Sequence, residues 1–398
     1  MNTRLLLLLF FLFVFACNPK ETKQKTIQDA GINIMAYYFP REEFDIDQLQ
    51  LDKLTHLIFS FSNVIDGRMQ FRNEESGKRL EELVLQKQKY PGLKVMVACG
   101  GWTADGFSDA VLTEESRKVF IASAVDMIEK YQLDGIDIDW EYPTSDEAGI
   151  KARPEDKENF TAFIKGLREA MNQVGRPQTL TFAAAGWKGY FNFIELREVI
   201  KYVDYINLMT YDQAGGANRF TAHHTALGKR TLADMASTPL GIEMKKQNAG
   251  LPEGVNPWEP QSMENIVEYC IQNGCPREKI VVGAAFYGKG WKGVEPADNG
   301  LFQQNHGGIQ GANYSKLLEE FIDKNGFTRY WDPLAKVPYL YNPADSIFIT
   351  YDDPESVSLK TQFVIDQKLG GIMFWELGGD TEREGGLLDA IYKEVVEK

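Results

Sequence analysis

Short apolar segments of strand length alternate with helical patterns along this chain from residue 31 onward. Strands that alternate with helices run parallel, because each helix returns the chain to the edge where the previous strand began. Eight such strands are predicted, at Ile32–Phe39, His56–Asn63, Leu93–Cys99, Leu133–Glu141, Leu180–Ala185, Val203–Tyr211, Ile280–Tyr287 and Gly371–Glu376. Eight units predict a closed (β/α)8 TIM barrel, whose active site lies at the carboxyl ends of the strands.

The connections between the strands show how the chain divides. Thr113–Gln132 and Glu155–Gly175 each carry one apolar stripe at helical spacing, which predicts barrel helices packed on the sheet. Two segments exceed ordinary loop lengths: Ala214–Gln261 after the sixth strand, and residues 294–353 after the seventh. The second mixes strand and helix patterns. It predicts a small α+β insertion between strand 7 and helix 7, which divides the barrel into residues 30–293 and 354–398.

The fourth predicted strand carries the strongest chemical signal. Alternate residues of a strand point to opposite faces, so one face is acidic, with Asp137, Asp139 and Glu141. The other face is apolar, with Ile136, Ile138 and Trp140, which argues against a solvated acidic edge. Like charges this close favour shared protons, so at least one carboxyl group should have a raised pKa. A carboxyl group that stays protonated at neutral pH can act as a general acid.

Aromatic residues accumulate at or just past the predicted strand ends. Five of the seven tryptophans lie there, at positions 102, 140, 187, 291 and 375. Aromatic faces stack well on the apolar faces of sugar rings, and this pattern predicts substrate binding for all of them except Trp140. The alternation directs Trp140 toward the helices. Gly101 and Tyr287 are further candidates for contact with substrate at the strand ends.

The acidic strand resembles the signature of glycoside hydrolase family 18, the chitinase family, which reads Asp-x-x-Asp-x-Asp-x-Glu. Here the matching residues are Asp134, Asp137, Asp139 and Glu141, followed by Tyr142 and Pro143 as in the chitinases. The resemblance implies retaining catalysis in which the acetamido group of the substrate attacks the anomeric carbon. In that mechanism Glu141 protonates the leaving oxygen, Asp139 stabilises the oxazolinium, and Asp137 shares a proton with Asp139.

Other segments extend the resemblance. The Met-x-Tyr-Asp pattern implies that Met209, Tyr211 and Asp212 lie beside the reacting sugar, with Tyr211 donating to the acetyl oxygen. Trp375 matches the ring on which that sugar stacks, while Tyr37 and Phe61 match positions near the acids. Two positions depart from the family pattern. Lys289, which is also predicted to bind substrate, stands where many chitinases have Arg. Ala98 replaces a serine whose hydroxyl helps bind the buried acid, and its absence should raise the pKa of the Asp137/Asp139 pair.

The resemblance implies a chitinase that hydrolyses β-1,4 linkages in chitin or N-acetylglucosamine oligomers. An endo-β-N-acetylglucosaminidase acting on N-glycans would keep the same acids, although such members usually lack the Trp-Glu-Tyr-Pro ending and the insertion. A chitinase-like lectin would have lost the acid, and Glu141 is intact. We expect no cofactor and no metal, since the chain has no His/Cys cluster at ligand spacing, and His223 and His224 are interpreted as structural.

Charge and the N-terminal residues bear on partners and location. The net charge of −14, without a basic cluster, argues against nucleic acid and anionic membrane surfaces as partners, and we expect a monomer.

Residues 1–16 predict a signal peptide. Ala16-Cys17 resembles a bacterial lipobox, which predicts lipidation at Cys17, a tether at 17–29, and a lipoprotein in the periplasm or at the cell surface; simple cleavage would give a secreted protein. Cys270 and Cys275 either form a disulfide or remain reduced.

Overall fold

The structure, a computed structural model, describes residues 27–41, 45–252, 258–381 and 384–397. The predicted signal peptide, Cys17 and all but the last residues of the predicted tether lie outside these ranges. Within them, no helix has the length and apolar character needed to cross a membrane.

Eight parallel strands close into the predicted barrel. The strands of the described chain are β1 (Asn33–Tyr38), β2 (His56–Ile65), β3 (Arg68–Gln70), β4 (Lys94–Gly100), β5 (Gly135–Asp139), β6 (Thr179–Ala185), β7 (Tyr205–Met209), β8 (Ile280–Ala285), β9 (Tyr287–Lys292), β10 (Gly308–Asn313), β11 (Thr328–Asp332), β12 (Val337–Asn342), β13 (Ile347–Thr350) and β14 (Gly371–Trp375). The barrel order is β1-β2-β4-β5-β6-β7-β8-β14, and β14 pairs with β1 to close it. The predicted TIM barrel is therefore confirmed.

Helices connect the strands, and most of them surround the barrel. They are α1 (Ile27–Ala30), α2 (Glu74–Leu85), α3 (Phe107–Ala110), α4 (Glu114–Tyr131), α5 (Asp156–Met171), α6 (Leu196–Val199), α7 (Pro239–Ala249), α8 (Met263–Gln272), α9 (Tyr314–Lys316), α10 (Pro354–Gln367) and α11 (Leu387–Glu397). The two helices predicted from apolar stripes are α4 and α5, whose stripes are buried. Their rings meet at Phe120 and Phe163, with centroids 4.8 Å apart, so each helix is fixed on the barrel by the residues that form its stripe.

Strand alternation separates two cores. The barrel interior is filled by residues that include Met96, Ala98 and Met373, while Cys99 belongs to the core between the sheet and the helices. Trp140 is 2% exposed and stacks on Phe107 of α3 at 5.3 Å, so its predicted orientation toward the helices is confirmed. Side chains on the acidic face of β5 therefore project into the barrel.

A five-stranded antiparallel sheet follows the seventh barrel strand, in the order β10-β9-β13-β12-β11. The sheet begins at Tyr287 rather than near residue 294, because only one residue separates the end of β8 from the start of β9, which pairs with this sheet and not with the barrel. Trp291 of β9 is fully buried beside Phe348 in the core of this sheet, so its predicted contact with substrate is wrong. Cys270 and Cys275 are buried free thiols.

Candidate active site

The three acids lie along the axis of the barrel at different depths. Asp137 is fully buried and Asp139 is 4% exposed, whereas Glu141 is partly exposed at the mouth. β5 ends at Asp139, so Glu141 lies two residues beyond the strand rather than within it as predicted. The residues that follow Asp139 form turns rather than strand. Glu141 is therefore the acid that a ligand at the mouth can reach most easily.

Asp137 is held by three donors inside the barrel. Its Oδ2 accepts a hydrogen bond from the Tyr37 hydroxyl at 2.9 Å, and its Oδ1 accepts from Thr181 at 2.5 Å and from the Asn207 amide at 3.2 Å. Burial raises the pKa of Asp137 to about 6, and the bonds from Thr181, Tyr37 and Asn207 oppose that rise because they stabilise the ionised form. The residue is therefore poised to gain or lose a proton near neutral pH.

Asp139 lies between the other two acids. Burial raises its pKa well above the usual value, and the charges of Glu141 and Asp137 raise it further. Its Oδ1 is buried and has no hydrogen-bond partner among the residues that the structure describes. In this position the protonated form of the carboxyl group is stable, whereas the ionised form without a partner has a high free energy. One proton is therefore best placed on Asp139 and shared with its neighbours.

Glu141 meets the requirement for a general acid. Burial raises its pKa to about 7, and the nearby Asp212 carboxylate adds to the rise while the Tyr142 side chain opposes it. A carboxyl group with this pKa is half protonated at neutral pH, where an ordinary glutamate would be almost fully ionised. Glu141 can therefore donate a proton in one step and accept one in the next.

Asp212 is the ionised carboxylate of the site. Its Oδ1 lies 2.7 Å from the Lys289 ammonium and 2.5 Å from the Tyr287 hydroxyl. Burial acts to raise its pKa, but the His224 and Lys289 contacts outweigh burial and lower it. Burial lowers the pKa of His224 itself, so His224 is neutral at neutral pH, and the ion pair of Asp212 is with Lys289. Lys289 thus binds Asp212, which gives the Lys-for-Arg replacement a structural role.

Aromatic rings form two walls around the acids. On one side, Phe61 stacks on Trp375 at 5.4 Å, and Tyr37 lies 6.0 Å from the same indole. On the other side, Trp102 and Trp187 flank Tyr142 at 6.4 and 5.1 Å. Trp102 is 55% exposed, which is unusual for so large a ring and is typical of a binding surface. All five of these predicted residues therefore make aromatic contacts at the carboxyl ends of the strands.

The remaining predicted residues lie around the same mouth. Tyr211 is buried in the barrel interior beside Met373, with Met209 packed against that cluster. The backbone N–H of Gly101 donates to the carbonyl oxygen of Asp139 at 2.8 Å. A Cβ at Gly101 would lie 2.9 Å from the Phe61 ring, so only glycine allows that ring its position beside Trp375.

Sequence reasoning missed Thr181 and Asn207, which donate to Asp137 from β6 and β7. Each is a polar residue within an apolar strand, and that departure was the available signal. In the described residues no group of three His, Cys, Asp or Glu side chains could hold a metal. His223 instead bonds Asp332 at 2.9 Å, and His224 contacts Asp212 at 3.6 Å.

The barrel, the acids along its axis and the aromatic cleft define a class of protein, the glycoside hydrolases. Residues 33–380 match the family described as glycosyl hydrolases family 18, and the chain belongs to that family. It is 38% identical to chitinase A1 of Niallia circulans over 76% of this chain and 43% of that protein. It is 30% identical to chitinase B of Serratia marcescens over 87% of this chain and 77% of that protein.

A solved structure gives the same assignment. The glycoside hydrolase family 18 N-acetylglucosaminidase from Paenibacillus barengoltzii superposes with a TM-score of 0.79 at 38% identity, covering 91% of this chain and 99% of that one. The chain spans less than half the length of chitinase A1.

Proposed function

We propose that the protein hydrolyses β-1,4 linkages in chitin or in N-acetylglucosamine oligomers by substrate-assisted retaining catalysis. The observation that carries the proposal is the state and position of Glu141. Its pKa of about 7 leaves the carboxyl group partly protonated at neutral pH, and it lies at the mouth of the barrel, above two buried acids and between aromatic walls. The chitinase names of the relatives support the same substrate class.

The first step breaks the glycosidic bond. Glu141 gives its proton to the leaving oxygen while the acetamido oxygen of the bound sugar attacks the anomeric carbon and forms an oxazolinium. Asp139 orients the acetamido N–H and offsets the positive charge that develops. Asp137 takes up the proton that Asp139 releases, which its pKa near 6 permits. Water, deprotonated by Glu141, then opens the oxazolinium on the same face, so the product keeps the β configuration.

The main alternative is cleavage of N-glycans by the same acids. Incubation with N-acetylglucosamine oligomers and with a high-mannose glycoprotein, followed by mass spectrometry, tests both. We expect shortened oligomers and an intact glycoprotein. Release of glycan from the glycoprotein while the oligomers stay intact would favour the alternative, and binding without cleavage of either would indicate a lectin.

The Ala98→Ser variant tests how the buried acids are tuned. Ala98 is in register with Asp137 and faces the barrel interior, so a hydroxyl there adds a fourth donor to that carboxylate. A donor to the ionised form lowers its pKa, and the acidic limb of the kcat–pH profile should move to lower pH. A hydrogen bond to a charged group is worth about 1.5–3 kcal/mol, but three donors are already present, so we expect a shift of up to about one pH unit.

Cys99→Ser is the matched control, because Cys99 is equally buried but faces the helices instead of the acids. It should leave the acidic limb in place. If Ala98→Ser leaves the limb unchanged or moves it to higher pH, the position does not take part in setting the charge of the Asp137/Asp139 pair.

A further inference from the structure

A fully buried ion pair connects α10 with the segment after β13, and no step of the proposed reaction uses it. The ammonium of Lys360 on α10 lies 2.6 Å from the carboxylate of Asp352, two residues after β13 ends. Both side chains are 0% exposed. Burial lowers the pKa of Lys360, and the charge of Asp352 opposes that effect. Because a buried ion pair can often be replaced by apolar side chains without loss of stability, stability alone does not explain this one.

Asp352 joins separate parts of the chain at one carboxylate. Besides Lys360, its Oδ2 accepts hydrogen bonds from the Thr225 hydroxyl at 2.8 Å and from the backbone N–H of Ala285 at 3.0 Å. Its Oδ1 accepts from Ser356 of α10 at 2.7 Å. The Lys360 ammonium also donates to the Thr225 hydroxyl, at 2.5 Å. Thr225 lies in the long segment after β7, and Ala285 is the last residue of β8, so the ion pair fixes both on α10.

The same two segments hold Asp212. His224, next to the threonine of this network, contacts Asp212 at 3.6 Å. Tyr287 and Lys289, just after β8, both contact its Oδ1. The segments are also joined to each other, because the His224 N–H donates to Thr350 Oγ1 at 3.2 Å and Thr350 is in register with Lys289. The three partners of Asp212 therefore lie on backbone that the buried ion pair holds in place.

We propose that Lys360 and Asp352 are positioning residues for Asp212, a proposal that rests on the proposed function. Both are fully buried, so neither can touch substrate. They act by fixing the backbone segments whose side chains hold the Asp212 carboxylate near Glu141. The position of that charge bears on the reaction, because it adds to the rise that burial causes in the pKa of Glu141.

A double-mutant cycle on kcat tests the proposal. Lys360→Met keeps much of the side-chain volume but removes the ammonium that binds Asp352 and Thr225. We expect it to lower kcat for the N-acetylglucosamine hexamer by about tenfold, a size typical of coupling between residues of one contact network. In the Asp212→Asn background the same change should lower kcat by less than about twofold, because the charge that the pair positions is already absent. KM should stay within about twofold, since the aromatic walls are unchanged.

Val364→Ala, on the same helix, is the matched control. Val364 is fully buried in the core between the sheet and the helices, so this variant loses stability through a cavity but keeps the ion pair. It should lower the melting temperature and leave kcat unchanged well below that temperature. Thr225→Val, which leaves both charges in place, is the second variant. It should lower kcat only where Asp212 is present, and it decides the question if Lys360→Met does not fold.

Equal losses of kcat in the two backgrounds would overturn the proposal, and so would a lower melting temperature with unchanged kcat. Either result would leave the ion pair with a structural role alone, while the activity itself stands. A wild-type protein that cleaves no oligomer would instead contradict the proposed function, and with it any role of the ion pair in that reaction.

Discussion

Replacement of Glu141 by Gln is expected to lower kcat by roughly 10²–10⁴-fold, because general acid–base assistance contributes about that factor. The amide has nearly the same shape as the carboxyl group but cannot transfer its proton. Binding should persist, since the rings of Trp375, Trp102 and Trp187 are unchanged. The measurement is kcat on one soluble oligomer, together with the Kd of the same oligomer by calorimetry. Glu158→Gln, at an exposed position of α5, is the matched control and should behave as wild type.

The pH profile gives this prediction a second readout. Glu141 has a raised pKa of about 7, so the donor form predominates below pH 7 and is lost as the pH rises through that value. The basic limb of the wild-type profile should therefore fall near pH 7, and the residual activity of Glu141→Gln should lack that limb. A loss of tenfold or less in kcat, or a basic limb that survives the substitution, would assign the proton donor to another group.

The part of the fold that strand and helix periodicity determines was predictable from the sequence. Eight strands and the stripes of α4 and α5 follow from local patterns, and the acidic face of β5 follows from alternation along a single strand. The donors to Asp137 were not predictable in this way. Thr181 and Asn207 come from β6 and β7, and only the register between strands places their side chains at one carboxylate.

Trp291 shows the same limit, because its position after a barrel strand gave a wrong prediction. Trp291 follows a barrel strand just as the cleft tryptophans do, yet β9 turns away and buries its ring beside Phe348. The turn depends on pairing with β13, more than fifty residues later in the chain. Local periodicity carries no information about such distant pairings, so the wall of the cleft needs the three-dimensional structure.

Fully deacetylated chitosan oligomers are expected to resist cleavage under conditions in which the acetylated oligomers are cleaved, with rates lower by about three orders of magnitude or more. The reason lies in the nucleophile. Intramolecular attack by a well-placed group is worth up to about 7–11 kcal/mol of the barrier, and a free amine in place of the acetamido group removes that attack. The measurement is initial rates on the two oligomers at equal length and concentration, with products followed by mass spectrometry.

The anomer of the first product is the companion measurement. Attack by the acetamido oxygen followed by water inverts the anomeric carbon twice, so NMR should detect the β-anomer first. A single direct attack by water would give the α-anomer. Early α-anomer would rule out retention by any route, whether the nucleophile is the acetamido group or a carboxylate.

Asp212 makes the comparison of substrates necessary. It is an ionised carboxylate in the same cleft, held by Lys289 and Tyr287, and a carboxylate nucleophile would also give retention. A carboxylate nucleophile does not need the acetamido group, so rapid cleavage of the deacetylated oligomer with β-anomer first would favour Asp212. Its three contacts, with Lys289, Tyr287 and His224, instead stabilise its charge and reduce its nucleophilicity. We therefore expect Asp212 to act by adding to the rise that burial causes in the pKa of Glu141, and the acetamido group to supply the attack.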